Sequence, residues 1–173
     1  KIEENPELEK QVLELLNRLE KGDVTIKNKF KKIVGTCLKG QIKILSELGI
    51  KYDRFDYEST YLWDKRTDET LKRLEKTGKL FIDGFNRWVM DQKGYELGMK
   101  IPVLVMTRND GTSLYPLRDI AYNIEKIKKG DNIVVLGEDQ KLYQEQISAV
   151  LKELELKPPR VVHYSFVLLQ EGK

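Results

Sequence analysis

Residues 101–140 read IPVLVMTRNDGTSLYPLRDIAYNIEKIKKGDNIVVLGEDQ, and this stretch decides the fold. Ile101 to Thr107 is an apolar, strand-like run, and Asn109-Asp110-Gly111-Thr112-Ser113 is a turn. From about Leu114 to Lys128 the spacing is helical. Leu117, Ile120, Ile124 and Ile127 share one side, Pro116 suits the first turn, and Gly130 follows the end. Ile133 to Leu136 is short and apolar enough for a buried strand, which Gly137 breaks. Glu138 or Asp139 then caps a helix that runs to about Leu156, where Pro158-Pro159 stops it. Val161 to Leu169 is extended again. The order βαβαβ predicts an α/β fold with a parallel sheet, because such crossovers are right-handed and bring successive strands side by side. Ligands on such sheets bind beyond the carboxyl ends of the strands. Here those ends are Arg108–Ser113, Gly137–Gln140 and the tail after Phe166.

Upstream the chain changes character, which divides it into a helical region (1–50), a mixed α/β insertion (51–100) and the α/β region (101–173). Asn5-Pro6 reads as N-cap and first helical residue, with Leu8, Val12, Leu15, Leu16 and Leu19 at helical spacing and Gly22 as terminator. A second helix follows Asp23. Its broad face would hold Ile26, Phe30, Ile33, Val34, Cys37, Leu45 and Leu48, with Cys37 as a packing residue and a break possible near Gly40. Tyr52 to Trp63 suggests a short strand leading into a loop. Thr67 to Thr77 suggests a helix with Leu71 and Leu74 inward. Leu80–Ile82 and Trp88–Met90, split by Asp83-Gly84, suit a hairpin.

Composition excludes several classes. The 173 residues carry 31 Lys and Arg against 28 Asp and Glu, a net +3 that is mixed rather than lopsided. That balance argues against a nucleic-acid coat or a polybasic membrane anchor. One cysteine, Cys37, rules out an intrachain disulfide and a Cys-based zinc site; one histidine, His163, rules out a site needing two. No apolar run approaches the roughly 18 residues of a membrane span, and no signal peptide opens the sequence. The start at Lys1, directly in helix-like sequence, suggests an internal piece of something larger.

Three places carry candidate chemistry. Tyr115 and Asp119 stand four apart near a helix start and share a face, with Tyr122 one turn on. A carboxylate beside an aromatic face suits a guanidinium, which donates two parallel N–H bonds and stacks on a ring. The same spacing also fits a solvated helix face. Gly137-Glu138-Asp139-Gln140 follows a strand and opens a helix. The glycine admits a ligand to the backbone, the acid can hold ribose hydroxyls, and the helix start favours anions. It also fits an ordinary capped turn. His163 sits in an extended run and reads as either structural or catalytic. Lys27 to Lys32 reads as a solvated helix face, with phosphate contact as the lesser alternative. No Walker A loop or G-x-G-x-x-G is present.

Taken together, these segments resemble the arginyl-tRNA synthetases, and the archaeal type most closely. Asp110-Gly111-Thr112-Ser113-Leu114-Tyr115-Pro116-Leu117-Arg118-Asp119-Ile120-Ala121-Tyr122 is similar to the family run D-G-T-x-x-Y-x-x-R-D-I-A-Y. Val134 to Tyr143 resembles the following strand and its Gly-x-Asp-Gln turn. His163-Tyr164-Ser165-Phe166 resembles the strand before the second class I signature, and Glu171-Gly172-Lys173 falls where that signature begins. Phe55 to Ser59 and Trp88-Val89 are similar as well. The first signature, of the H-I-G-H type, does not occur in these residues, and Val167 stands where glycine is common.

The resemblance implies the second half of a Rossmann-like catalytic fold preceded by a helical insertion region. It implies a ligase that activates arginine with ATP, magnesium accompanying the nucleotide, and passes it to tRNA(Arg). Tyr115, Asp119 and Gln140 would bind arginine. Gly137, Asp139, His163 and Phe166 would bind ATP, and Lys173 would serve catalysis near the phosphates. No residue is implied as a metal ligand. Such an enzyme is expected to be cytoplasmic and monomeric, without a membrane partner. With one signature absent and the other cut short, these residues alone are expected to be inactive. The alternative is a synthetase-derived module that binds arginine or RNA and catalyses nothing.

Overall fold

The structure, a computed structural model, describes residues 5–165 and 167. It forms two compact units, Lys1–Asp64 and Lys65–Lys173.

The first unit is helical. α1 spans Pro6–Glu20, with the Asn5 side chain accepting from the Leu8 amide. α2 spans Val24–Glu47. Its cap is Asp23, whose Oδ1 accepts from the Thr25 and Ile26 amides at 2.9 and 3.1 Å. Arg18 grips the other carboxyl oxygen at 2.8 and 3.0 Å and, together with those amides, holds Asp23 below the usual carboxylate range. α2 runs unbroken through Gly35 and Gly40, so no break occurs there. Cys37 is exposed, not a packing residue. Ile33, Val34 and Leu48 on the same helix are exposed too. Among the described residues, the buried apolar positions of this unit are Leu19, Ile26 and Tyr61. Residues 51–57 form no strand; the backbone instead turns into α3, Ser59–Trp63, from which Trp63 donates to the Leu19 carbonyl at 2.9 Å.

The second unit begins with α4, Arg66–Glu75, as its spacing predicts. β1 (Leu80–Ile82) and β2 (Trp88–Asp91) make the expected hairpin, with Leu80 opposite Met90. Asp83 closes its turn by accepting from the Phe85 and Arg87 amides and from the Arg87 guanidinium. β3, Val103–Val105, pairs antiparallel with β2. This differs from the parallel partnership that the order βαβαβ suggests. The reason is local: the Met106 amide donates to the Trp88 carbonyl, the Gln92 amide to the Pro102 carbonyl and the Trp88 amide to the Thr107 hydroxyl, completing a three-stranded antiparallel sheet.

α5 spans Tyr115–Ile127, β4 Ile133–Gly137, α6 Lys141–Glu153 after a single 3₁₀ turn, and β5 Arg160–Tyr164. β4 and β5 pair in parallel, with Leu136 beside His163 and Gly137 beside Tyr164. The chain is therefore α/β, with a β4–α6–β5 crossover as its parallel element. The core lies where α4, α5, α6 and the antiparallel sheet meet. Leu74, Met90, Met106, Leu117, Ile120, Ile147, Val150 and Leu151 are almost wholly buried there. One face of the parallel pair stays open, and Ile133 and Val135 are each 61% exposed.

Candidate functional site

The loop before α5 is fixed by its own polar groups. Asp110 Oδ1 accepts from the Thr112 hydroxyl at 2.6 Å and its amide at 2.9 Å. Burial pushes the Asp110 carboxyl up, but these donors and Arg108 outweigh it and hold the group below its ordinary value. The Arg108 guanidinium donates to Thr112 Oγ1 and to the Ser113 carbonyl, and Gly111 takes φ 83°, a left-handed turn that suits glycine. The Leu114 amide closes on the Met106 carbonyl at 2.8 Å. Tyr115 and Pro116 thus begin the helix at a set position.

One turn on, Asp119 is half-buried where α5 packs on α6. Its Oδ1 accepts from Asn123 Nδ2 at 3.1 Å, and its Oδ2 accepts from the Tyr143 hydroxyl at 3.2 Å. Asn123 also donates to the Asp119 carbonyl at 2.9 Å, which pins that amide. The Tyr115 and Tyr143 rings lie 5.2 Å apart at 32°. Burial raises the Asp119 carboxyl above its ordinary value, while Lys126 and the Tyr143 hydroxyl pull it back. Tyr115 is 48% exposed, so the pair is reached from solvent. The result is a carboxylate with one donor on each oxygen, one of them the hydroxyl of a tyrosine whose ring lies against that of Tyr115. Each oxygen keeps acceptor capacity for a further bond.

Tyr115 and Asp119 are therefore brought together, and Tyr143 joins them from α6. Sequence reasoning assigned Tyr143 no role. Gln140 stands three residues before Tyr143, one helical turn nearer the strand end, on the same side of the helix. It is exposed and donates to Asp139 Oδ2 at 2.9 Å. Gly137 is buried at the end of β4. His163 stands on β5 opposite Leu136, one residue before the partner of Gly137. It lines a cavity of about 330 Å³ with Tyr95, Gln144, Ser148 and Lys152, where the buried atoms Gln144 Nε2 and His163 Nδ1 have no hydrogen-bond partner among the described residues. Phe166 and Lys173 lie outside the described residues. Among the described residues no three His, Cys, Asp or Glu side chains gather as they would around a metal ion. Nor is any helix among them long and apolar enough to cross a membrane.

The half-buried Asp119 carboxylate on α5 accepts from Tyr143 on α6, the helix that follows the turn at the end of β4. The family described as tRNA synthetases class I (R), catalytic domain, matches residues 1–173 throughout. The chain belongs to this family. Among similar class I proteins, the arginine–tRNA ligase of Methanothermobacter thermautotrophicus is 36% identical over 173 residues, across 99% of this chain and 30% of that enzyme. That of Methanocaldococcus jannaschii is 37% identical over 177 residues, with the same two shares. The solved arginyl-tRNA synthetase of Thermus thermophilus shares the fold, with TM-score 0.69 at 20% identity, over 99% of this chain and 36% of that one. The chain thus spans about a third of the length of the relatives it matches.

Proposed function

We propose that the chain supplies the arginine-recognising part of an arginine–tRNA ligase, which activates arginine with ATP and transfers it to tRNA(Arg). The observation that carries this reading is the Asp119 carboxylate, held at both oxygens by Asn123 and Tyr143, with the Tyr143 ring lying against that of Tyr115, one turn before Asp119 on α5. A guanidinium fits it on three counts. It offers two parallel donors to a carboxylate, it carries a permanent positive charge, and its plane stacks on rings. A lysine ammonium matches only the charge, and citrulline, the neutral isostere, lacks the charge. The names of the relatives support the same substrate.

Activation joins the arginine carboxylate to the α-phosphorus of ATP in an in-line displacement that releases pyrophosphate. The protein's part is to position the two reactants and offset developing charge. Asp119 and Tyr115 hold the side chain, and Gln140 stands at the helix start between that side chain and the nucleotide. Gly137 lets the ribose approach the end of β4, and Asp139 accepts from its hydroxyls. His163 and Phe166 border adenine, and Lys173 meets the phosphates, with magnesium arriving on the ATP. A ligase of this kind would act in the cytoplasm as a monomer.

Competition among ligands tests the reading. In a ligase carrying these residues, arginine should be bound and both lysine and citrulline rejected by at least about thirtyfold, the scale of a truncated charged pair. Citrulline binding as well as arginine would sink the assignment. A second reading is a synthetase-derived module that binds arginine or RNA without catalysis. Arginine-dependent pyrophosphate exchange in a ligase carrying these residues separates the two: the first reading expects exchange and the second expects none, while the 173 residues alone should give none above background under either.

A further inference from the structure

We propose that Tyr143 is a positioning residue of the arginine site: its hydroxyl holds one oxygen of Asp119 so that the carboxylate presents its remaining lone pairs to a guanidinium in one orientation. This rests on the reading of Asp119 as the guanidinium partner. The argument is geometric. A carboxylate on a helix can rotate about its last bond, and a freely rotating acceptor pays an ordering cost on binding a planar fork. Asp119 has lost that freedom already. Asn123, itself pinned to the Asp119 carbonyl, fixes Oδ1 from the same helix, and Tyr143 fixes Oδ2 from the neighbouring one. Two donors from two elements define the carboxylate plane where one would leave it a swivel.

Tyr143 is suited to this work by its own setting. Its ring lies against Tyr115, and its side chain packs against the hydrophobic core beneath. The hydroxyl is therefore carried on a stiff arm with two torsions. The contact also has a chemical effect. The charged form of Asp119 is disfavoured by burial, and the groups that favour it are the Lys126 ammonium on its own helix and the Tyr143 hydroxyl on α6. Asn123 adds a neutral donor. Removing the hydroxyl leaves burial less opposed, so the carboxyl must rise further and stay protonated to higher pH. A protonated carboxyl cannot accept both bonds of the fork.

Tyr143→Phe removes the oxygen and keeps the ring. The test has two arms. In the 173-residue chain, carbon NMR of the Asp119 carboxyl is followed against pH. In a ligase carrying these residues, KM and kcat for arginine are measured across the same range. We expect the Asp119 titration to move upward in the variant. The acid limb of kcat/KM for arginine should move with it, and KM should rise about fivefold near neutral pH, the scale of one ordinary hydrogen bond. The KM for ATP should stay unchanged. Tyr143→His, which offers a shorter donor, serves as a second variant and should fall between the two. An unchanged Asp119 titration in Tyr143→Phe, or an arginine acid limb that does not move, overturns the proposal. If the titration moves while the ligase uses arginine and citrulline alike, Tyr143 does hold Asp119 but the guanidinium reading is wrong, and the proposal falls with that reading.

Discussion

The two halves of the site are built differently. On α5 the acceptor is half-buried, its two oxygens are each engaged, and Tyr143, which donates to one of them, packs against the core. At the end of β4 the polar groups Asp139 and Gln140 are exposed, and the bond between them joins sequence neighbours. On the reading proposed above, a side-chain pocket that tells arginine from lysine needs its acceptor fixed before the ligand arrives, because a loose one would accommodate either. On the same reading, a strand-end turn that meets ribose hydroxyls need not discriminate so finely. The contrast sets a pre-ordered acceptor on α5 against an open polar surface at the end of β4.

Asp119→Asn should break the first half most severely. It removes the charge and one acceptor from the fork, a loss of about 2–5 kcal/mol for a truncated charged pair. That is about thirtyfold to several thousandfold in kcat/KM for arginine. The fold should not suffer. Because burial raises the folded carboxyl above its unfolded value, Asp119 contributes stability at low pH that is lost as pH rises through the folded value. The amide escapes that loss, so the melting temperature at neutral pH should be equal to or above that of the unaltered protein. A kcat/KM within about threefold would return Asp119 to an ordinary helix face, since that is less than one hydrogen bond. The same raised carboxyl sets the pH dependence. Arginine binding should weaken on acidification sooner than an ordinary aspartate would require, and a calorimetric titration across mildly acid pH reads the difference.

The open half should give smaller, divided effects. Gln140→Ala should mainly weaken arginine and Asp139→Ala mainly ATP, each by about three- to tenfold, because exposed contacts contribute about one hydrogen bond apiece. Kinetics with each substrate varied would separate them; loss of ATP affinity alone in both variants would remove Gln140 from the arginine side. Smallest of all should be Tyr115→Phe, which keeps the ring over the site and should change arginine KM by no more than about threefold. A larger effect would mean that the Tyr115 hydroxyl itself meets the ligand.

What could be read beforehand was set by short-range physics. α5, β4, α6 and the β1–β2 hairpin follow from periodicity, Pro116, Gly130 and Asp83-Gly84, all of which act within a few residues. The partner of β3 does not, since a strand's own residues do not say which sheet receives it. Residues 51–57 looked extended by aromatic content, yet Tyr52 and Phe55 pack on each other and Arg54 pairs with Asp56, which favours a compact loop. Cys37 sits at a helical spacing that promises burial, but a stripe is buried only when something covers it. For the site, Tyr115 and Asp119 were visible as an i, i+4 pair. Tyr143 was not, because meeting Asp119 depends on how α5 and α6 pack across 24 residues of sequence.

Deep in the second unit, Gln92 donates to the Gln146 carbonyl at 2.7 Å, and the Gln146 amide returns a bond to Gln92 Oε1 at 3.1 Å and reaches the Val103 carbonyl at 3.3 Å. Both side chains are buried. An amide pair in such a place works as a key in a keyway. Slide the hairpin one residue along the helix, and these donors and acceptors are left facing hydrocarbon, each costing about 1–3 kcal/mol. Apolar contacts alone would tolerate the slip far better. Gln146 is also one turn beyond Tyr143 on α6, so the notch that indexes the hairpin also indexes the tyrosine.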